Sequence, residues 1–193
     1  GLCRRGLALL EQLPQSAARD RRELALQMGL DMPLFVTQGW GAPERAEALN
    51  RAYELAQALG TTQGVLPILK SLADVSTARA KHQQALAYAE RALKLAQDLG
   101  DRTYEALGYR MSGTSRFFLA HFGEARAHLE EGLACYEALV QSAADPGQPP
   151  AAIPNIEEIV FLWVWLPFIL FAQGYPQQAI ARAQEAMAHI PPD

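Results

Sequence analysis

Residues 81–101 read KHQQALAYAERALKLAQDLGD, and their spacing decides the fold. Ala85, Ala89, Ala92 and Ala96 recur at i, i+4, i+7 and i+11, which is one face of an α-helix. Leu86 and Leu93 widen that stripe, and Gln83, Glu90, Lys94 and Gln97 stand on the opposite side. Small residues on a buried stripe let two helix axes approach closely, near the lower limit of the roughly 8–10 Å found for packed helices. Gly100 then ends the helix, because glycine tolerates the left-handed cap.

The pattern recurs on both sides. APERAEALNRAYELAQALGT (42–61) and HFGEARAHLEEGLACYEALVQ (121–141) align with it without gaps. Leu59-Gly60 precedes Leu99-Gly100 by 40 residues, and Ala52, Ala92 and Gly132 keep the same interval. A further copy, YPQQAIARAQEAMAHIPP (175–192), puts Ala186 in register but arrives fourteen residues late. SAADPGQPPAAIP (142–154) accounts for the delay as a loop insertion. RRGLALLEQLP (4–14) reads as the end of a preceding unit.

Partner helices are expected at about 17–38, 62–79, 102–120 and 155–173. Asp101 and Asn155 are candidate N-caps, with Glu105, Glu157 and Glu158 suited to the positive helix end. Pro33 and Pro167 should kink or break their helices. The unit is therefore helix, tight turn, helix, over about 40 residues. One such pair cannot bury its apolar face alone, so neighbours stack. The expected architecture is an all-α solenoid with a right-handed superhelix. Residues 1–193 form one repeat domain: 1–14 ending a preceding unit, repeats at 15–60, 61–100 and 101–141, the insertion at 142–154, and a repeat at 155–193.

Composition agrees. Ala and Leu supply 61 of the 193 residues, and Val, Ile and Thr only 19, which disfavours strands. The net charge of −4 leaves no electrostatic footprint for nucleic acid or anionic lipid. Cys3 and Cys135 form no C-x-x-C pair, so neither a disulfide framework nor a zinc module is expected. The chain begins with Gly and has no signal-peptide pattern, and it is read as an excised or processed piece of a cytoplasmic protein. Residues 159–172, IVFLWVWLPFILFA, are fourteen apolar positions where a membrane span needs about 20. They are expected to form a buried or interface helix.

The register resembles the tetratricopeptide repeat. Gly113, Ala120 and Ala125 occupy that family's small-residue positions, and Ala73 and Ala85 repeat the interval. Trp163, Leu166, Gly174, Ala179, Ala186 and Pro191 match in the last unit. Pro167 departs from the pattern, as do Pro33 and Arg45 in the first unit. RRGLALLEQLP, RRELALQMGL, ERAEALNRAYELAQALG, FGEARAHLEEGLACYEA, DPG and QGYPQQAIARAQEA, in that order, resemble a narrower group. It is the C-terminal repeat region of bacterial multidomain proteins joining a cyclase- or kinase-type module to a signalling ATPase. That resemblance implies a non-catalytic regulatory or interaction segment. No phosphate-binding G-x-x-x-x-G-K-[ST] run is present.

The resemblance also implies a concave face lined by the first helix of each unit. By register that face carries Gln27, Leu30, Leu34, Thr37 and Gln38, then Lys70, Asp74 and Thr77. Next come Arg110, Thr114, Phe117 and Phe118, and finally Phe161, Val164, Phe168 and Phe171. The expected partner-binding set is Lys70, Asp74, Arg110, Thr114, Phe117, Phe161, Val164 and Phe168. An amphipathic helix or an extended tail would suit a groove running from polar to aromatic. The plainer expectation for Phe118, Phe168 and Phe171 is packing against a neighbouring unit. Asp74 would pair with Lys70 at i, i+4 and so spoil a carboxylate clamp.

His121, Glu124 and His128 could in principle hold a metal, but they lack the H-E-x-x-H pattern. With His82 and His189 they are read as surface or capping groups. Arg19, Asp20, Arg21, Arg22 and Glu23 read as a solvated helix face. No catalytic residue, cofactor or metal is expected. Two other functions remain open. One is sensing a small molecule in a pocket between Trp163, Trp165, Phe117 and Arg110. The other is homodimerisation through the C-terminal helices.

Overall fold

The alanine stripe is a buried helix face. Ala85, Ala89, Ala92 and Ala96 are each 0% exposed, while Gln83, Glu90, Lys94 and Gln97 meet solvent. The structure, a computed structural model, describes residues 1–62, 64–143 and 161–188. All regular elements among the described residues are α-helices. In order they are α1 Leu2–Leu10, α2 Ala17–Met28, α3 Asp31–Gln38, α4 Pro43–Ala58 and α5 Val65–Ala78. Then follow α6 His82–Leu99, α7 Arg102–Phe118, α8 Phe122–Ala143, α9 Phe161–Ala172 and α10 Pro176–Ala188. The chain divides into two compact units, Gly1–Tyr88 and Ala89–Asp193.

In the first unit α1 packs on α2, and α4 packs on α2, α3 and α5. Leu49, Ala52 and Ala56 of α4 meet Ile68, Leu72 and Val75 of α5 in the core. The helix expected over 17–38 is two helices, divided at Gly29 and Leu30 rather than at Pro33. Proline has no N–H to give the carbonyl four residues back. The chain therefore restarts, and Pro33 falls in the first turn of α3, where no donor is needed.

Arg45 stands where a small residue was expected and is nevertheless buried. Its Nε donates to Asp31 Oδ1 at 2.5 Å and its Nη1 to the Trp40 carbonyl at 2.9 Å. Its guanidinium carbon lies 5.6 Å from the Phe35 ring centroid. Ser71 donates to the other Asp31 oxygen at 2.6 Å. The charge run at 19–23 is only partly solvated, which corrects the reading above. Glu23 is 8% exposed and accepts from Arg51 at 2.6 Å, and Arg19 donates to the Leu10 carbonyl at 2.8 Å. Arg21 and Arg22 do face solvent.

In the second unit α7 packs on α8, both pack on α9, and α9 packs on α10. Ala106, Leu107, Ala125, Leu129, Leu162 and Ile169 form its core. Asp101 caps α7 as expected, accepting from the Tyr104 N–H at 3.0 Å. Gly60 and Gly100 take positive φ of 60° and 68°. Beyond each, an N–H reaches back to the last turn, Thr61 to Ala56 at 3.2 Å and Asp101 to Ala96 at 2.9 Å. Ala80 and Ala120 do the same for α5 and α7 at φ 56° and 62°, without a glycine.

The helix over 159–172 is described from Phe161 and runs through Pro167 without ending there. Ser142 and Ala143 still belong to α8, so the expected loop starts later than 142. Its remaining residues, Asn155, His189 and Pro191 lie outside the described residues.

A Cβ on Gly108 would sit 2.8 Å from Leu93 Cα, whereas one on Gly123 would meet nothing within 4 Å. Gly108→Ala should therefore lose about 1–3 kcal/mol in urea unfolding, despite alanine's better helix propensity. Gly123→Ala should be unchanged or gain up to about 1 kcal/mol. Asp31→Ala should lose about 3–5 kcal/mol in the same measurement, since it leaves a buried guanidinium without its carboxylate.

Candidate functional site

Sequence register places eight residues in one groove, and the structure distributes them unevenly. Lys70 and Asp74 belong to the first unit, where Lys70 donates to Asp74 at 3.0 Å as the i, i+4 spacing implies. The pair is largely buried. Arg110 and Thr114 belong to the second unit and are buried as well, because α7 is enclosed along most of Glu105 to Arg116. Neither lines an open surface.

The aromatic members behave differently. Phe117 is half-buried and packs against Phe118, Phe122 and Trp165, with centroids 5.5–5.7 Å apart. Trp165 also meets Phe118 at 5.5 Å and Phe168 at 5.8 Å. Phe117 and Trp165 are thus in direct ring contact. Phe161, Val164, Phe168 and Phe171 stay exposed, Phe168 at 56% and Phe171 at 70%. Phe118 is exposed too. Phe118 of α7 thus packs on Trp165 of α9, in the neighbouring repeat of the sequence reading, as the plainer expectation had it, but it, Phe168 and Phe171 keep much of their surface exposed. The helical period explains the split in α9. Leu162, Leu166, Ile169 and Leu170 face the core, Trp163 and Trp165 flank it half-buried, and Phe161, Val164, Phe168 and Phe171 are left on the outer face.

That outer face is one wall of an apolar groove of about 510 Å³. Val164, Phe168 and Phe171 of α9 face Ala179, Ile180 and Met187 of α10 across it. Pro167 and Pro176 also line it, and among the described residues no charged or amide side chain does. Sequence reasoning missed the α10 wall. The C-terminal helices are read there as a candidate homodimer surface, and nothing in the spacing places Ala179, Ile180 and Met187 opposite Val164, Phe168 and Phe171. No described helix is long and apolar enough to cross a membrane.

Among the described residues no cluster of three His, Cys, Asp or Glu side chains could hold a metal ion. Cys135 is half-buried, and burial, with Glu105 adding, raises its thiol above the ordinary range. That opposes thiolate chemistry. His128 packs on the Tyr109 ring at 5.7 Å. Burial, with the Arg116 guanidinium adding, lowers its pKa.

No known family model matches the chain, and no curated protein matches it significantly.

Because His128 is harder to protonate when folded, the unfolded chain takes the proton first as pH falls. Stability should drop as pH descends through the ordinary histidine value of about 6.5 and level off once folded His128 protonates. In urea titrations from neutral to mildly acidic pH, His128→Gln should show a shallower decline than the parent.

Proposed function

We propose that this chain is a non-catalytic interaction module of a larger bacterial signalling ATPase or cyclase. It is read as a tetratricopeptide-like, right-handed solenoid with about 40 residues per repeat. The helix caps support that period. Gly60 and Gly100 are 40 residues apart, and so are Ala80 and Ala120.

The observation that carries the function is the groove between α9 and α10. Among the described residues that line it, Trp163 alone carries a polar side-chain atom. An extended peptide lying there would leave backbone N–H and C=O groups unpaired, at a cost of roughly 1–3 kcal/mol each. A helix satisfies its own backbone, so the fitting occupant is an amphipathic helix with apolar residues at i, i+3, i+4 and i+7. The walls are helices of 12 and 13 residues, so an occupant of three to four turns matches them. The small-molecule alternative has less support, since two of the four residues proposed to frame its pocket, Phe117 and Trp165, touch each other with centroids 5.6 Å apart.

An array of fourteen-residue amphipathic helices tests this reading. Binders should lose about tenfold or more in affinity to Phe168→Ser combined with Ile180→Glu, two exposed positions whose change leaves the core intact. Binding that survives the double substitution overturns the groove. Sedimentation of the unliganded chain separates the homodimer reading. A dimer abolished by the same substitutions gives the groove to a second copy, and a monomer at high concentration leaves it to a partner.

A further inference from the structure

A second cavity lies wholly within the first unit, away from the apolar groove. It measures about 220 Å³ and opens between α4, the end of α5 and the start of α6. That is smaller than the roughly 300–1,000 Å³ of drug-sized ligand sites. At about 30 Å³ per water it has room for about seven waters. Its floor is apolar except for one hydroxyl: Leu72 and Val75 are buried, and Ser76 beside them is only 4% exposed.

Its rim has the opposite character. Arg79 and Lys81 stand on it, with Glu47 contributed by α4. Among the described residues none of these three charged side chains forms an ion pair, with each other or with anything else. Arg79 makes one long bond, to the Gly41 carbonyl at 3.4 Å. Polar neutral groups complete the wall. Gln84 donates to the Tyr88 hydroxyl at 3.4 Å, and that hydroxyl donates to Asn50 Oδ1 at 3.3 Å. Such long bonds are weak and readily exchanged for a ligand. The first turns of α4 and α6 also line the cavity, and both are positive dipole ends.

Two cations and two helix N-termini favour an anion, and a carboxylate is the smallest organic one that fits. A simple anion, however, leaves Glu47 unexplained, since like charge on the rim would repel it. Charges of both signs facing one small space without neutralising each other match a zwitterion. From this arrangement we infer that the cavity binds a free amino acid. Its carboxylate is held by Arg79 and Lys81, its ammonium group by Glu47, and its side chain rests on Leu72, Val75 and the Tyr88 ring. This site is independent of the α9/α10 groove and belongs to the other unit.

Nitrogen-15 spectra of the intact chain test the assignment. The probes are the twenty free amino acids one at a time, with acetate and inorganic phosphate as anions that lack an amino group. At least one amino acid should shift the side-chain amides of Asn50 and Gln84 saturably. Arg79→Ala with Lys81→Ala should weaken that binding about tenfold or more, and Glu47→Gln several-fold. All three residues are exposed, and circular dichroism checks that the variants fold. Absence of any saturable shift at tens of millimolar overturns the proposal. So does acetate or phosphate binding as tightly as the amino acids, or amino-acid binding indifferent to Glu47→Gln.

Discussion

A Cβ placed on Gly108 would lie 2.8 Å from both Cα and Cβ of Leu93. Side chains therefore cannot come between these two helices, and the rest of the second unit is organised around that approach. At Gly113 an added Cβ would meet Leu129 at 2.6 Å, and at Gly132 it would meet Leu162 at 2.7 Å. Three glycines thus bring α7 against α6, α7 against α8, and α8 against α9. Each glycine costs its helix about 1 kcal/mol relative to alanine. Burial of Leu129 and Leu162, each worth roughly 1.5–3 kcal/mol, more than offsets it. Small residues recur on α6 as well, where Ala85, Ala89, Ala92 and Ala96 are fully buried.

Helix-level structure was legible because one period governs it. The spacing of Ala85, Ala89, Ala92 and Ala96 located α6, and Gly60, Gly100 and Asp101 marked helix ends by their own backbone chemistry. Ala80 and Ala120 were not legible as caps, since nothing local demands that an alanine adopt positive φ. Tertiary packing imposes it, against a steric cost of about 1–2 kcal/mol. Gly108 was likewise silent, because a mid-helix glycine shows its reason only when the neighbouring backbone is in place.

The candidate site was legible by residue type but not by exposure. Register put Arg110, Thr114 and Phe117 on one strip of α7, which holds for an isolated helix. It does not say how deeply each helix is covered. α7 is enclosed along most of Glu105 to Arg116, so Arg110 and Thr114 are buried, whereas the described neighbours of α9 leave Phe161, Phe168 and Phe171 exposed. Its fourteen-residue apolar run therefore serves two surfaces: Leu162, Leu166 and Ile169 in the core, and Phe161, Phe168 and Phe171 outside. An apolar run has no hydrophobic contrast from which to read that division. Pro167 also stands on that outer wall.

The two departures from the repeat pattern in the first unit prove to be one. Pro33 cannot donate within a continuous helix, so the chain breaks ahead of it and a new helix begins at Asp31. A carboxylate in a first turn is favoured by the positive helix end. There Asp31 accepts from Arg45 and from Ser71 on different helices, α4 and α5. Had the helix run on unbroken, Asp31 would sit mid-helix with no free helix end beside it, and a buried arginine opposite would lack this anchor. A small residue at 45 would then be the better choice, as alanine is at 85 and 125. Proline at 33 and arginine at 45 thus support each other. The first unit replaces close apolar contact with a salt bridge, hydrogen bonds and a ring face at that one crossing, and keeps alanine and leucine packing elsewhere.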